Sequence, residues 1–222
     1  MSNKRKDILS IGEYYHVFNK SIAGFALFNN LKDLSRALNI LSFYKYSQTM
    51  RYSFYQRLNI EDKLEYLKNI HKKNPCVDII AYAFMPNHYH LILKQLTENG
   101  IKTYISNFQN SYAKFYNIKY DRLGTVFLSP FKAKHISTDN ELLHISRYIH
   151  LNPVTAYIIE FPGLKSYPNN SFKEYLSKSK SDLINTNIVL NLSGSRERYQ
   201  QFVKDRVNYQ RELKRIEHLI ME

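Results

Sequence analysis

Several features that would settle a chain's class at once are missing from this sequence. Among its 222 residues there is one cysteine, Cys76, so no intrachain disulfide can form. That fits a reducing cytosol, and nothing around Cys76 suggests thiol chemistry. No stretch approaches the roughly eighteen consecutive apolar residues of a membrane span, and the start, Met1 to Asp7, leads into no apolar segment of signal-peptide length. A soluble, cytoplasmic protein is expected. There is no Gly-rich phosphate loop of the Walker type, no internal repeat and no low-complexity segment. Acidic residues are scarce as well. Nineteen Asp and Glu face 32 Lys and Arg, for a formal charge of +13 and a sequence pI near 9.6.

That imbalance is the electrostatic footprint of a protein that meets phosphate backbones. Ribosome-associated and membrane-surface proteins share it. Nineteen Tyr and 13 Phe lie among the basic residues, and this tilts the choice toward unpaired nucleic acid, whose bases stack on aromatic rings. Most of those rings must still fill a core. With 44% hydrophobic residues, the chain can bury one without staples.

Asp78 to Lys94 organises the rest. Ile79 to Phe84 is β-branched and aromatic, Pro86-Asn87 is turn chemistry, and Leu91 to Leu93 is apolar again, which predicts a hairpin. Alternation along a strand puts His88 and His90 on one face, with Cα atoms roughly 6.5 Å apart. Both imidazoles could then hold one metal ion, while Tyr89 packs into the core. The plain alternative is a half-exposed pair with no ligand, since eight histidines are present.

Around the hairpin, Glu13 to Lys20 reads as a strand. Leu31 to Leu41 and Ile60 to His71 read as amphipathic helices, with residues 45–75 an insertion. Ile101 to Tyr116 is a third helix, and Phe131 to Ile136 a strand with Lys132 and Lys134 on one face, equally a solvated edge or a phosphate contact. Thr138-Asp-Asn-Glu141 has the form of a capping box and opens a helix to about Leu151, which Pro153 is expected to end. Tyr148 and Asn152, four apart, share a face of it. Phe172 to Leu176 reads as a short helix, and Arg196 to Met221 as a charged one.

Three motifs stand in order: Met85-Pro-Asn-His-Tyr-His-Leu-Ile-Leu93, then Gly124-Thr-Val-Phe127 with Phe131-Lys132, then Tyr148-Ile-His-Leu-Asn-Pro-Val154. Together they resemble the single-tyrosine transposases of the His-hydrophobe-His (HUH) class, and most closely the REP-associated tyrosine transposase branch. Residues 8 to 176 carry the resemblance. It implies an α+β fold with a ferredoxin-like, RRM-like antiparallel sheet and helices on one face, over residues 8–160. Residues 161–222 would be a C-terminal linker and helical appendage.

The resemblance also implies a site. His88 and His90 match the two histidines of a metal site, Asn152 a third ligand used by some relatives, and Tyr148 the nucleophile. Imidazoles with an amide oxygen suit Mg²⁺ or Mn²⁺. Tyr148 would attack single-stranded DNA beside a hairpin and form a 5′-phosphotyrosine. Lys132, Lys134, Arg122 and Arg147 are candidate DNA contacts. Within the same mechanism Tyr112 is the alternative nucleophile; His150 is expected to face away, and His135 could support the site. A binding module of the same fold that holds structured nucleic acid without cutting it remains the other reading. A rolling-circle initiator or relaxase shares the two histidines but is usually larger. One nucleophile per chain suits a monomer or a homodimer.

Overall fold

In the computed structural model, residues 8–212 are described. Four strands form one antiparallel sheet: β1 (Tyr14–Lys20), β2 (Val77–Met85), β3 (His88–Gln95) and β4 (Lys132–Ile136), in the order β2-β3-β1-β4. That is the ferredoxin-like order, so the expected α+β architecture is observed. The hairpin turns at Pro86-Asn87 as its residues demand, and the turn is tied down: Leu27 N–H donates to the Pro86 carbonyl (2.6 Å) and Ser21 N–H to that of Asn87 (2.7 Å). Tyr89, Leu91, Ile92 and Leu93 are fully buried.

The chain divides into two compact units that do not follow chain order. The first comprises residues 8–78, 86–88 and 93–135; the second comprises 79–85, 89–92 and 136–212. In the first, α1 (Leu31–Tyr44) packs on α4 (Gly100–Lys119). Leu34, Ala37, Ile40 and Leu41 bury against Ile101, Tyr104, Ile105, Phe108 and Tyr112 at three-to-four spacing. Each such side chain contributes about 1.5–3 kcal/mol by leaving water. Tyrosine hydroxyls buried here donate to carbonyls, Tyr104 to Leu41 (3.1 Å) and Tyr112 to Leu27 (2.5 Å). Residues 45–75 hold α2 (Tyr52–Tyr55) and α3 (Ile60–Ile70). The stripe expected on α3 is only partly used, since Ile70 is buried and Leu64 exposed.

The second unit is built on α5 (Asp139–Thr155), with α6 (Phe172–Leu176), α7 (Asn187–Ser193) and α8 (Arg196–Lys204). Thr138 caps α5 as its sequence predicts, its Oγ1 accepting from Glu141 N–H at 3.1 Å. Glu141 closes the motif one residue early, on Ser137 N–H (2.8 Å). Helix α7 had no clear sequence signal. The last predicted helix breaks after Lys204, resumes over 207–212, and for the rest lies outside the described residues. Among the described residues no helix is long and apolar enough to cross a membrane.

One sequence expectation is corrected. Helix α5 does not stop at Pro153 but runs through it to Thr155. Proline removes the N–H that would serve the carbonyl four residues back, here that of Ile149. Asn170, fully buried, supplies the substitute: its Nδ2 donates to the His150 carbonyl (3.0 Å) and reaches that of Ile149 (3.4 Å). Beyond the proline, Ala156 N–H donates to the Asn152 carbonyl (3.0 Å) and closes the turn. Asn170→Ala should therefore cost about 1–3 kcal/mol, the penalty of a buried carbonyl left unmet, read as a lower urea midpoint at unchanged slope.

His150 sits below this turn with no exposure. Ser146 Oγ donates to the Leu143 carbonyl and Tyr199 Oη to Ser146 Oγ (2.9 Å), so Nδ1–H of His150 donates to Tyr199 (2.7 Å). Nε2 then accepts from Ser171 Oγ at 2.9 Å. Burial lowers its pKa from 6.5 to about 3. His16 on β1 is lowered to about 4, first by burial and then by the charge of Lys134. Unfolded, both imidazoles protonate near 6.5, so below that pH the unfolded chain holds more protons and acid removes stability. The fall should approach about 1.4 kcal/mol per pH unit for each histidine, down to pH 4 for His16 and lower for His150. Urea titrations at pH 7.5, 6 and 5 measure it.

Candidate active site

Strand β3 places His88 and His90 two residues apart and hence on one face. His88 is half-buried, and its Nδ1 lies 2.7 Å from Oδ1 of Asn87 in the hairpin turn. An oxygen on Nδ1 favours the tautomer whose lone pair is on Nε2, the arrangement typical of metal-binding histidines. Sequence reasoning took Asn87 only as turn chemistry; its place directly before a histidine was the signal for this second duty.

His90 is 8% exposed, and Tyr148 from α5 stands edge-on against it, with ring centroids 5.7 Å apart and planes at 87°. Tyr148 is 43% exposed. Most tyrosines of the hydrophobic core are closed off by packing, so one that stays partly exposed while its ring meets an imidazole edge-on is set apart from them. Asn152, one turn further along α5, is buried, and its Nδ2 donates to the Tyr148 carbonyl (2.9 Å). The amide oxygen is then the end left to accept.

The alternative nucleophile is removed by its surroundings. Tyr112 has no exposure and donates to the Leu27 carbonyl, and burial, followed by the charge of Asp33, raises its pKa far above that of a free phenol. His150 is structural, as expected. His135 lies against Glu13, Nε2 to Oε2 2.7 Å, with its ring 5.4 Å from that of Tyr15.

The four basic candidates fare differently. Lys132 and Lys134 are exposed on alternate positions of β4. Lys132 Nζ is 6.0 Å from the Phe18 ring centre, and Lys134 is close enough to His16 to disfavour its protonation. They thus share a surface with a half-buried ring of β1. Arg122 lies over Phe25 at 4.0 Å, its Nη1 buried without a hydrogen-bond partner. Arg147 is 7% exposed and turned inward: its guanidinium stacks on Phe202 (4.0 Å), donates to the Phe202 carbonyl and meets His144 Nδ1 at 2.9 Å. It braces α5 against α8, a partnership that sequence spacing could not reveal.

Comparisons with known proteins fall on this arrangement. Residues 45–152 match the family described as IS200-like transposases. A solved structure of a REP-associated tyrosine transposase bound to a REP hairpin is similar, with a TM-score of 0.55 and 14% identity over 84% of this chain and 90% of that one. Likeness at that identity is likeness of fold. No curated protein sequence matches the chain. The resemblance read in the sequence is borne out, and the IS200-like match spans the hairpin, both histidines, Tyr148 and Asn152. Because Tyr148 is exposed, Tyr148→Phe should change unfolding free energy by less than about 1 kcal/mol. Thermal unfolding and circular dichroism of the variant check that any loss of activity is chemical.

Proposed function

We propose that the chain cleaves and rejoins single-stranded DNA through Tyr148, with a divalent metal ion at His88 and His90, on DNA that carries a hairpin. The observation that carries this reading is the exposed Tyr148 phenol braced edge-on by His90. Support comes from the IS200-like family match and from the fold of a protein solved with a REP hairpin.

Among the described residues no group of three or more His, Cys, Asp and Glu could hold an ion. Two imidazoles, one oriented by Asn87, and the Asn152 amide fit a hard divalent ion that keeps open positions, Mg²⁺ or Mn²⁺. His88 and His90 would hold it with Asn152 as third ligand, and when bound it supplies Lewis-acid stabilisation of charge on the scissile phosphate.

Chemistry at the phenol follows. The Tyr148 oxygen attacks phosphorus and loses its proton to water, forming a P–O bond as the bond from phosphorus to the 3′-oxygen breaks. That oxygen takes up a proton and leaves as a 3′-OH, while the 5′-phosphate stays on the tyrosine. The diester's free energy is kept in the adduct, so a 3′-OH can reverse the step without ATP. Lys132 and Lys134, beside Phe18, would contact the strand's phosphates and a base. Arg147, already engaged, would instead hold α5 in place.

Incubation of the chain with single-stranded hairpin DNA and Mn²⁺ should yield a covalent protein–DNA adduct on denaturing gels. Tyr148→Phe should abolish it, His88→Ala and His90→Ala should lower it by about a hundredfold or more, comparable to losing a principal charge-stabilising group, and chelation should prevent it. No adduct from the wild-type chain with any divalent ion would leave a non-cutting binder of structured nucleic acid.

A further inference from the structure

The first unit contains a second feature that the chemistry at Tyr148 does not use. A groove of about 710 Å³ lies between α1, α2 and α4. Its α4 wall carries a polar stripe beside Phe115 and Ile118: Asn107, Asn110, Ser111 and Lys114 fall at i, i+3, i+4 and i+7, one helical face about 10 Å long. The opposite wall brings Arg36 from α1, and Arg51 and Arg57 from either end of α2. Not one lining residue is acidic.

Charge and shape in the groove both point one way. The buried carboxylate nearby, Asp33, is already answered by Lys119 Nζ (2.5 Å), Tyr120 Oη (2.7 Å) and Asn30 Nδ2 (2.6 Å). It neutralises Lys119 at the groove's edge and leaves the charge of Arg36, Arg51, Arg57 and Lys114. The Arg36 guanidinium lies near two rings, 4.8 Å from the centre of Phe115 and 5.4 Å from that of Tyr52. Two such contacts restrict its rotamers before any ligand arrives, and its planar fork suits phosphate oxygens. Arg51, Arg57, Asn110 and Lys114 are exposed.

A row of amide and hydroxyl donors facing guanidinium and ammonium groups, with no acceptor charge among them, matches a chain of phosphates. We infer that this groove binds the sugar–phosphate backbone of DNA, as a second contact that grips the hairpin stem while the strand is processed at Tyr148. It rests on the reading of the chain as a DNA-cleaving enzyme but makes a separate claim, since every groove residue lies outside the candidate active site. Rings here serve to hold Arg36 rather than to stack on bases, so the contact is one to backbone and indifferent to sequence.

Full-length chain carrying Arg51→Gln, Arg57→Gln and Lys114→Gln together tests it. Fluorescence anisotropy with a hairpin DNA over 50–300 mM salt should show a slope of log affinity against log salt shallower by about 2 to 3, one unit for each cation that met a phosphate. A control with Lys68→Gln, Lys72→Gln and Lys73→Gln, the same charge change on and after α3, should keep the wild-type slope. With hairpin DNA at saturating concentration, the Tyr148 adduct should form at the wild-type rate in both variants. An unchanged slope in the groove variant, or equal loss in the control, overturns the groove as a DNA site. So does loss of binding to phosphatidylserine vesicles alone. Absence of any adduct from the wild-type chain, with the slope difference present, overturns the cleavage reading and leaves the groove standing.

Discussion

The backbone of α5 around Pro153 is the constraint on which the second unit depends. A helix that continues past a proline must find another donor for the carbonyl it orphans, and here that donor is the side chain of Asn170. Asn170 can reach it only because its own segment is fixed: Ser171 N–H donates to the Tyr82 carbonyl (3.0 Å) and Phe84 N–H to the Asn169 carbonyl (2.7 Å). So the middle of β2, the loop before α6 and the last turns of α5 are one hydrogen-bonded assembly. Tyr148 and Asn152 ride on those turns, and their placement is inherited from it.

The same helix explains why buried polar groups cluster here rather than elsewhere. Ser146, His150 and Asn152 lie on α5 with almost no exposure, and each makes a hydrogen bond from its side chain. A neutral imidazole bonded at both nitrogens replaces what could have been an apolar side chain. It specifies one register of α5 against α6 and α8, because sliding by a residue would orphan several polar atoms at once.

Much of this was legible in the sequence. Two apolar runs around Pro86-Asn87 gave the hairpin, the period-two rule put His88 and His90 on one face, and the capping residues located the start of α5. What the sequence could not convey was tertiary. Pro153 looked like a stop because a stop is the cheapest answer to a missing N–H, and only Asn170, 17 residues on, changes the balance. Arg147 looked like a surface cation because nothing local reveals Phe202. The basic groove was hidden for a similar reason: its cations come from residues 36 to 119, scattered among many other lysines and arginines. Of nineteen tyrosines, burial tells Tyr148 from Tyr112, and burial is a property of the fold.

The chain of hydrogen bonds from Ser146 through Tyr199 and His150 to Ser171 has an implication for synthesis. Tyr199 follows His150 by 49 positions, so a nascent polypeptide cannot complete the surroundings of α5 until Tyr199 has left the ribosome. A ribosome that stalls or terminates early releases a product in which His150 lacks one of its two partners. Such fragments would lack part of the packing that holds α5, and Tyr148 with it, in the arrangement described.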